Sequence, residues 1–332
     1  MNIKTDKEIL KATKYEDLFS TDEDIAKKQL REYCKLYHPD ANDSKEAADI
    51  FCIIQQLYNK KTRSNFTSST VVEDVIFKNK VTGKGFCLTN PITFNNGIAR
   101  VYHTATKVAL IYDKTYKKFY DSYIKNVKDL KYADANMQKE FERYFPKIIN
   151  NFETEDGEFC ILLDKTSDVV SLGKIFTAYE KAGKQFPEKQ AAWILNRLYN
   201  IECYLNFYNK VFNGFTLDNI WVSPDMHTVL MFSGWEYTTK TDASMIGCPK
   251  DVYKILPIKV KDNKKSNIVT DLESIKSVGR KLFKSKSSLN YIDEFLRSGT
   301  SDDVFKEWDA YRNAIKSQFG KRAFIIWEDV PY

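Results

Sequence analysis

A single proline between two helix-like segments constrains the fold of this chain more than any other residue. The stretch "TDEDIAKKQLREYCKLY" (21–37) has apolar side chains at helical spacing, and Thr21 is a candidate N-cap at its start. Pro39 ends this helix, because proline disfavours helical geometry at the preceding residue and has no N–H to donate. A second helical pattern begins at Ser44. Two such helices with a short connection predict an antiparallel helical hairpin.

The predicted hairpin has an apolar face and a basic face. Lys27, Arg31 and Lys35 are spaced i, i+4 and i+8, so they form a basic stripe, and Lys28 lies beside it. Such a stripe can steer the hairpin onto an acidic partner surface, although an ordinary solvated helix face has the same pattern. The apolar positions are Ala26, Leu30, Tyr33 and Tyr37 in the first helix and Ala47, Phe51, Ile54, Leu57 and Tyr58 in the second.

The pattern changes after residue 60. The polar segment "KTRSNFTSST" (61–70) has no periodicity and predicts a linker. The segments "VVEDVIF", "GFCLT", "IARVYHT" and "KVALIYD" then have the length and composition of short strands. Gly83, Gly85 and the "NNG" at 95–97 supply turns between them. A β-rich region therefore follows the hairpin.

The rest of the chain is mainly helical. A helical region is predicted over about 114–150, and the strand "EFCILLD" (158–164) follows it. From Glu188 the pattern is helical again, interrupted by the strand-like "NIWVSPDMHTVLMF" (219–232). A β-rich region followed by a helical region predicts an α+β fold. With 332 residues, 43% of them hydrophobic, the chain is long enough for two domains with a substantial core.

Composition narrows the class of protein. No apolar run approaches the length of a membrane span, and the N-terminal "MNIKTDKEIL" lacks the apolar core of a signal peptide, so a cytoplasmic protein without a membrane partner is expected. The net charge of +6 comes from lysines interleaved with acids, which is typical of a solvated surface. The run "KVKDNKKSN" (259–267) has no interleaved aromatic residues, so nucleic-acid binding is not favoured.

The six cysteines predict neither a zinc site nor a disulfide framework. They stand alone along the chain, without a CxxC pair and without clustered histidines. A disulfide framework is also a property of small secreted domains rather than of a long chain with a large core. They are expected to pack as small apolar side chains. The cysteines are Cys34, Cys52, Cys87, Cys160, Cys203 and Cys248.

Residues 13–60 resemble the J-domain of DnaJ-type co-chaperones, which predicts an all-α domain over 1–60. "YEDLF" (15–19) stands at the first helix and turn of that family, and "AKKQLREYCKLYHPD" (26–40) matches its second helix and His-Pro-Asp loop. "FCIIQQLY" (51–58) matches its third helix. The first helix is abbreviated here, and no convincing fourth helix follows.

The resemblance implies a partner and a set of contact residues. His38, Pro39 and Asp40 would contact the ATPase machinery of a DnaK-type chaperone and stimulate ATP hydrolysis. The basic residues on the preceding helix would contact the acidic surface of the same chaperone. A J-domain performs no chemistry itself, and it acts by shifting the conformational equilibrium of its partner. The contact residues would be His38, Pro39, Asp40, Lys27, Lys28, Arg31 and Lys35.

Residues 71–328 resemble a protein-kinase-like fold. The resemblance predicts a small lobe over about 71–165 and a large lobe over about 166–328. "NNGIARVYHTATKVALIY" (95–112) is similar to the two strands around a kinase glycine-rich loop and the strand after them. Residues 191–237 are similar to the helix before the catalytic loop, the loop itself and the metal-binding segment.

Two segments further along the chain extend this resemblance. "TDLESIKSVGRKLF" (270–283) resembles a large-lobe helix that opens with an anchoring aspartate, here Asp271. "DDVFKEWDAYRNAIKSQFGKRAF" (302–324) resembles the C-terminal ends of bacterial and phage J-domain proteins fused to kinase-like domains. The glycine-rich loop keeps only Gly97.

The positions that carry kinase chemistry hold other residues here. Aligning Asn219 with the catalytic-loop asparagine puts Gly214 at the catalytic aspartate, and "FSG" then puts Phe232 at the metal-binding aspartate and Gly234 at its glycine. Ile111 stands at the phosphate-binding lysine. Phosphoryl transfer needs a base, that lysine and carboxylates that hold magnesium. The resemblance therefore implies a pseudokinase, which is not an enzyme and has no cofactor or metal.

A slipped alignment would leave an active kinase as the alternative. Asp218 or Asp225 would then serve as base or metal ligand, and Lys107 or Lys114 would reach the phosphates. Each of these residues also has an ordinary explanation, since the aspartates are common in loops and turns and the lysines are common on a strand surface.

Aromatic and histidine residues outside these motifs are expected to be structural. Helical spacing favours core packing over a ligand site for four aromatic residues. His103 lies on a predicted strand, and His227 lies in a turn without an identifiable acid or serine partner. The aromatic residues are Trp193, Tyr199, Tyr204 and Phe207.

An intact His-Pro-Asp module beside a kinase-like module without catalytic groups suggests an adaptor. The J-domain would recruit and stimulate a DnaK-type chaperone, while the kinase-like domain would bind an unidentified client protein as a scaffold. The alternatives are an atypical kinase regulated by its J-domain, and a viral protein that sequesters the chaperone in the host cytoplasm.

Overall fold

The computed structural model describes residues 3–38, 42, 44–62, 74–166, 168–283, 290–320, 327 and 330. These parts of the chain contain a helical hairpin, a β-rich lobe and a helical lobe, in that order. Pro39 and Asp40 lie outside the described residues, and so does the predicted linker from residue 63 onward.

The N-terminal module is the predicted helical hairpin. Its second helix is capped by Asp22, whose carboxylate accepts hydrogen bonds from the backbone N–H groups of Asp24 and Ile25 at 3.0 Å each. The expected cap at Thr21 is therefore displaced by one residue, because the side chain of Asp22 satisfies these two N–H groups. The third helix begins after Ser44, as predicted. The helices are α1 (Asp6–Ile9), α2 (Glu23–Tyr37) and α3 (Lys45–Thr62).

The hairpin has a core of its own. The predicted apolar stripes of α2 and α3 face each other, and two aromatic residues before α2 pack between them. The ring of Phe19 lies 5.7 Å from that of Tyr33 and 5.2 Å from that of Tyr58. The buried members are Ile9, Tyr15, Leu18, Phe19, Ala26, Leu30, Tyr33, Cys34, Tyr37, Ala47, Ile50, Phe51, Ile54, Leu57, Tyr58 and Met226. Met226 is the only one of these residues that lies outside the N-terminal module.

The β-rich lobe is built on a five-stranded antiparallel sheet of order β3-β4-β5-β7-β6. The β1–β2 hairpin covers one face of this sheet, and helix α4 packs on the other. The strands are β1 (Val75–Lys78), β2 (Gly85–Leu88), β3 (Ile92–Asn95), β4 (Ala99–His103), β5 (Lys107–Tyr112), β6 (Ile148–Glu153) and β7 (Phe159–Asp164), and the helices are α4 (Lys117–Lys128) and α5 (Ala135–Phe141).

Two strands of this sheet were not predicted. Ile92–Asn95 is mostly exposed, so it lacks the alternation that marks a half-buried strand. Ile148–Glu153 was included in part in the predicted helical region, which in the structure ends at Phe141 and a single following turn. The strand contains Asn150 and Asn151, which have low strand propensity, and it is held in place by pairing with β7.

The helical lobe surrounds α7, which is buried along most of its length. Two small antiparallel sheets, of order β11-β10-β8 and β12-β9, lie between its helices. No helix in the described parts of the chain combines the length and apolarity that a membrane crossing requires. The helices are α6 (Leu172–Lys181), α7 (Glu188–Phe207), α8 (Lys250–Ile255), α9 (Ile258–Asn263), α10 (Ile268–Leu282), α11 (Tyr291–Arg297) and α12 (Val304–Phe319). The strands are β8 (Val170–Ser171), β9 (Lys210–Val211), β10 (Trp221–Ser223), β11 (Thr228–Leu230) and β12 (Thr239–Lys240).

One apolar core extends across both lobes. It includes Leu110 and Tyr112 from β5, and it continues into Leu198 of α7 and Leu272 of α10. The two lobes therefore share an interior, whereas the N-terminal hairpin has a separate one.

Candidate functional site

The loop between β9 and β10 is anchored by a buried carboxylate. Asp271, at the start of α10, accepts hydrogen bonds from the backbone N–H groups of Phe212 at 2.5 Å and Asn213 at 2.7 Å. Its side chain is fully buried beside Glu202, and burial raises the pKa of Asp271 to about 7. The predicted anchoring aspartate therefore holds the loop that contains Gly214 and Asn219.

Gly214 lies in a tightly packed position within this loop. Asn219 donates a hydrogen bond from Nδ2 to the carbonyl of Gly214 at 2.8 Å, and Ser233 donates from Oγ to Oδ1 of Asn219 at 2.7 Å. A Cβ atom on Gly214 would lie 3.1 Å from both the Cα and the carbonyl oxygen of Gly234. The two glycines therefore pack against each other, and a side chain at 214 requires movement of the backbone.

Aromatic side chains fill the space between the lobes next to this loop. Phe232 is buried with its ring 5.4 Å from that of Trp221, and its carbonyl accepts a hydrogen bond from Tyr123 Oη at 2.7 Å. Trp221 on β10 is fully buried and reaches the β-rich lobe, with its ring 6.0 Å from Phe94 and 5.1 Å from His103. The indole of Trp221 therefore occupies the junction of the two lobes.

On strand β5, the position expected for the phosphate-binding lysine does not face α4. In an active kinase the lysine of this strand pairs with a glutamate of the following helix, so it must lie on the face that meets α4. Ile111 lies on the opposite face, in the small core beneath the β1–β2 hairpin. Tyr112 lies on the α4 face, with its ring 6.1 Å from that of Tyr120. The two neighbours of Ile111, Leu110 and Tyr112, both lie on the α4 face, and neither is a lysine.

A buried glutamate in the cleft was missed by the sequence analysis. Glu236 accepts a hydrogen bond at Oε2 from the backbone N–H of Gly234 at 2.8 Å, and Asn96 Nδ2 lies 3.5 Å from its Oε1. Burial raises the pKa of Glu236 to about 7. Asn96 belongs to the predicted "NNG" turn, so this turn reaches the loop after the "FSG" segment. The signal in the sequence is weak, because an acid two residues after that segment is not part of the kinase pattern.

The residues proposed for a slipped alignment lie in separate environments. Lys107 pairs with Asp164 at 3.2 Å on the β-sheet, and Lys114 is exposed. The carboxylate of Asp218 lies against Gly173, and Asp225 lies at the hairpin. Among the residues that the structure describes, no group of three or more His, Cys, Asp or Glu side chains could hold a metal ion.

The second candidate site is the end of α2, where His38 is buried. Only 2% of its surface is exposed, and its Nε2 lies 3.1 Å from the carbonyl oxygen of His227. The His38 ring also lies 4.9 Å from that of Phe51 and 5.3 Å from that of His227. Burial lowers the pKa of His38 well below its ordinary value. The predicted contact residue is therefore covered by the helical lobe.

The turn between β10 and β11 provides this cover. His227 adopts a left-handed φ of 47° and stacks on Trp193 with a ring separation of 3.9 Å. Met226 is buried in the hairpin core, and the carbonyl of Asp225 lies 3.6 Å from the Cys34 thiol, which donates to it. The turn thus contacts α2 through three consecutive residues.

Part of the predicted basic stripe also faces this turn. Arg31 is half-buried, and both Arg31 and Lys27 interact electrostatically with the carboxylate of Asp225. Burial nevertheless raises the pKa of Asp225 to about 6. Lys27, Lys28 and Lys35 are all exposed, and Lys35 pairs with Glu32 on its own helix at 2.5 Å. The stripe is therefore divided between the helical lobe and solvent.

The aromatic residues of α7 follow the expectation with one exception. Tyr199 and Tyr204 are buried in the core, whereas Phe207 is 64% exposed at the end of the helix. Trp193 has a further role that its spacing did not indicate, because it supports His227. The prediction that all four residues pack in the core was wrong for Phe207.

Comparison with solved structures identifies the fold. The crystal structure of the BubR1 kinase domain is similar with a TM-score of 0.51 and 11% sequence identity, over 82% of this chain and 94% of that one. The structure of vaccinia related kinase 3 matches with a TM-score of 0.45 and 14% identity, over 77% and 80% of the two chains. No family model matches the sequence, and a search of curated proteins found no significant match. The chain contains a protein-kinase-like fold.

Proposed function

We propose that this chain is a J-domain co-chaperone and adaptor. Its N-terminal hairpin recruits a DnaK-type chaperone and stimulates its ATPase, and its kinase-like domain binds a client protein without transferring phosphate. The cytoplasm is the proposed location, or the host cytoplasm if the protein is viral. The observation that carries the proposal is a contrast between a hairpin with the expected core and a cleft without the groups for catalysis.

The composition of the cleft supports a domain without kinase activity. Phosphoryl transfer requires a base, a lysine on the phosphates and carboxylates that hold magnesium. The corresponding positions are Gly214, Phe232 and either Ile111 or Tyr112, none of which can supply these groups. The Trp221 indole adds bulk between the lobes, where a nucleotide would have to enter.

The core of the hairpin supports the J-domain assignment. Phe51, Ile54 and Tyr58 are buried against α2 at the offsets that the resemblance requires. His38 follows directly after the last residue of α2, where a His-Pro-Asp loop would begin. Tethering a client beside an activated chaperone raises the effective concentration of each for the other, which is how an adaptor of this kind would act.

Chaperone ATPase measurements test the first half of the proposal. The full chain is added to a DnaK-type chaperone, and steady-state ATP turnover is compared for the wild type, His38→Gln and His103→Gln. His103 is a matched control, since it is also buried but lies in the β-rich lobe. We expect stimulation by the wild type and by His103→Gln, and its loss in His38→Gln. Stimulation that is equally strong with His38→Gln and with the wild type would reject the co-chaperone function.

Nucleotide binding tests the second half and separates it from the atypical kinase. Tight binding stabilises the folded state by about 2.7 kcal/mol at a ligand concentration 100 times the Kd, and it therefore raises the melting temperature. We expect no shift with magnesium and ATP, and no labelled phosphate on added proteins. A shift together with phosphate transfer would establish the kinase instead. Inhibition of chaperone-assisted refolding, rather than stimulation, would indicate sequestration.

A further inference from the structure

The residue expected to contact the chaperone is not accessible in this structure. His38 is 2% exposed, and it is enclosed by Phe51 of its own hairpin and by His227 of the helical lobe. A contact with another protein requires a surface that the partner can reach. The His38 end of the hairpin therefore has to leave the helical lobe before it can be recognised.

The element that covers His38 is a turn of the helical lobe that makes several contacts within that lobe. Ser223 Oγ accepts a hydrogen bond from the backbone N–H of Met226 at 2.9 Å, and Ser223 also donates to Asp168. The stack of His227 on Trp193 fixes the other end of the turn. The turn is thus held by its own lobe through contacts that do not involve the hairpin, so it can keep its shape when the hairpin leaves.

The chemistry of the turn is complementary to the face that it covers. Asp225 interacts electrostatically with Arg31 and Lys27, which are two members of the basic stripe, and with Asp168 of its own lobe. Met226 inserts an apolar side chain into the hairpin core, and His227 presents a carbonyl to His38. An acidic partner surface would use the same basic residues, so the turn and such a partner compete for one face of α2.

We propose that the turn Asp225–His227 is an intramolecular lock, which covers His38 and the Arg31 side of α2 until the hairpin separates from the helical lobe. The occlusion follows from the contacts, whereas the identity of the competing partner rests on the proposed co-chaperone function. A partner or client that favours the separated state would increase the accessible fraction of the hairpin in proportion to its preference for that state. The kinase-like domain thereby acts on the hairpin without any chemistry of its own.

Histidine acylation by diethyl pyrocarbonate tests the lock in the full chain. The chain has three histidines, so mass spectrometry of peptides can follow each of them. Asp225→Arg places a positive charge near Arg31 and Lys27, and Met226→Ser removes the apolar contact without a change of charge. Asp156→Arg is the matched control, because it makes the same charge change on an exposed turn of the β-rich lobe.

The expected result is specific to the contact between the hairpin and the helical lobe, which buries both His38 and His227. We expect His38 to react about tenfold faster or more in both variants, which corresponds to about 1.4 kcal/mol. In Asp225→Arg the cause is repulsion between like charges at the contact, and in Met226→Ser it is the loss of an apolar contact. His103 is buried inside the β-rich lobe and should stay slow in every protein, which shows that the fold is intact. Reaction of His38 at the same rate in the wild type, in both variants and in the control would overturn the lock.

Chaperone stimulation by the same proteins separates the two proposals. If His38 becomes reactive and stimulation also increases, both the lock and the co-chaperone function are supported. If His38 becomes reactive and no protein stimulates the chaperone, the lock stands and the co-chaperone function fails. If stimulation is already maximal in the wild type while His38 becomes more reactive in the variants, the competition between turn and chaperone is refuted.

Discussion

The two candidate sites of this molecule are both closed, but they are closed in different ways. The cleft between the lobes is filled by residues of a shared core, with Trp221 fully buried and Gly214 packed against Gly234. The His38 end of the hairpin is closed by one turn of the helical lobe, which lies on a module with its own core. Opening the cleft would remove core packing, whereas releasing the hairpin would separate two surfaces and leave both cores largely in place.

This difference explains why only one of the sites is suited to regulation. Core side chains contribute to folding stability, and their removal leaves a cavity rather than a working site. A contact between two surfaces can form and break while each part stays folded, so its equilibrium can respond to a partner. We therefore expect the residues that fill the cleft to act mainly in folding stability, and we place the proposed switch at the contact around His38.

The largest expected effect comes from emptying the cleft. Trp221→Ala should lower the free energy of unfolding by about 3–5 kcal/mol, as for other large buried aromatic residues. Denaturant unfolding measures the change, and Tyr253→Ala is a control at a 60% exposed aromatic residue. If the variant kept wild-type stability and bound magnesium and ATP, the cleft would be a blocked nucleotide site rather than part of the core. The contrast between the two sites would then be wrong.

The next effect depends on pH and arises from Glu236. Its pKa is raised by burial from 4.5 to about 7, so its contribution to stability is complete below pH 4.5 and is lost as the pH rises through 7. Glu236→Gln removes this dependence. We expect the variant to match the wild type at pH 4 and to become more stable than it by up to about 3 kcal/mol at pH 8.

Denaturant unfolding at the two pH values measures this difference. Asp271, whose pKa is also raised, is present in both proteins, so its effect cancels. Glu155→Gln provides a control at an exposed glutamate of the β-rich lobe. A stability difference between wild type and Glu236→Gln that does not change with pH would show that Glu236 is not buried in the cleft.

Restoring a catalytic carboxylate should damage the cleft rather than repair it. A side chain on Gly214 would press against the backbone of Gly234, so Gly214→Asp should cost about 1–3 kcal/mol of stability, as overpacking does elsewhere. Gly299→Asp is the matched control, because a Cβ there meets no atom within 4 Å. Phosphate transfer by Gly214→Asp without a loss of stability would contradict the packing described here.

The sequence predicted the parts of the molecule that depend on local pattern. The helices of the hairpin, the anchoring role of Asp271 and the strand Lys107–Tyr112 follow from periodicity or from a specific motif. The strand Ile92–Asn95 was missed because its exposed residues have no alternating pattern. Glu236 was missed because its role depends on a turn that is far away in the sequence, at Asn96.

The contact at His38 could not be predicted for the same reason. His38 and His227 are 189 residues apart, and neither is part of a pattern that refers to the other. The helical spacing of Arg31 and Lys27 predicted that they share one face of α2. The acid near them, Asp225, is brought there by the tertiary fold. The resemblance assigns His38 a contact with another protein, and it carries no information on the helical-lobe turn that covers His38 in this fold.

The smallest expected effect tests whether the hairpin is a separate unit, as the comparison of the two sites requires. Asp22 caps α2 through two backbone N–H groups, so Asp22→Ala should destabilise this helix by about 1 kcal/mol, whereas Thr21→Ala should change it by a few tenths or less. Hydrogen exchange measures both regions at once. If the hairpin opens independently, exchange in Glu23–Tyr37 should become faster in Asp22→Ala while exchange in Ile268–Leu282 stays unchanged. Equal acceleration in both helices would mean that the hairpin and the lobes unfold together, and the contact at His38 would then be part of one cooperative core.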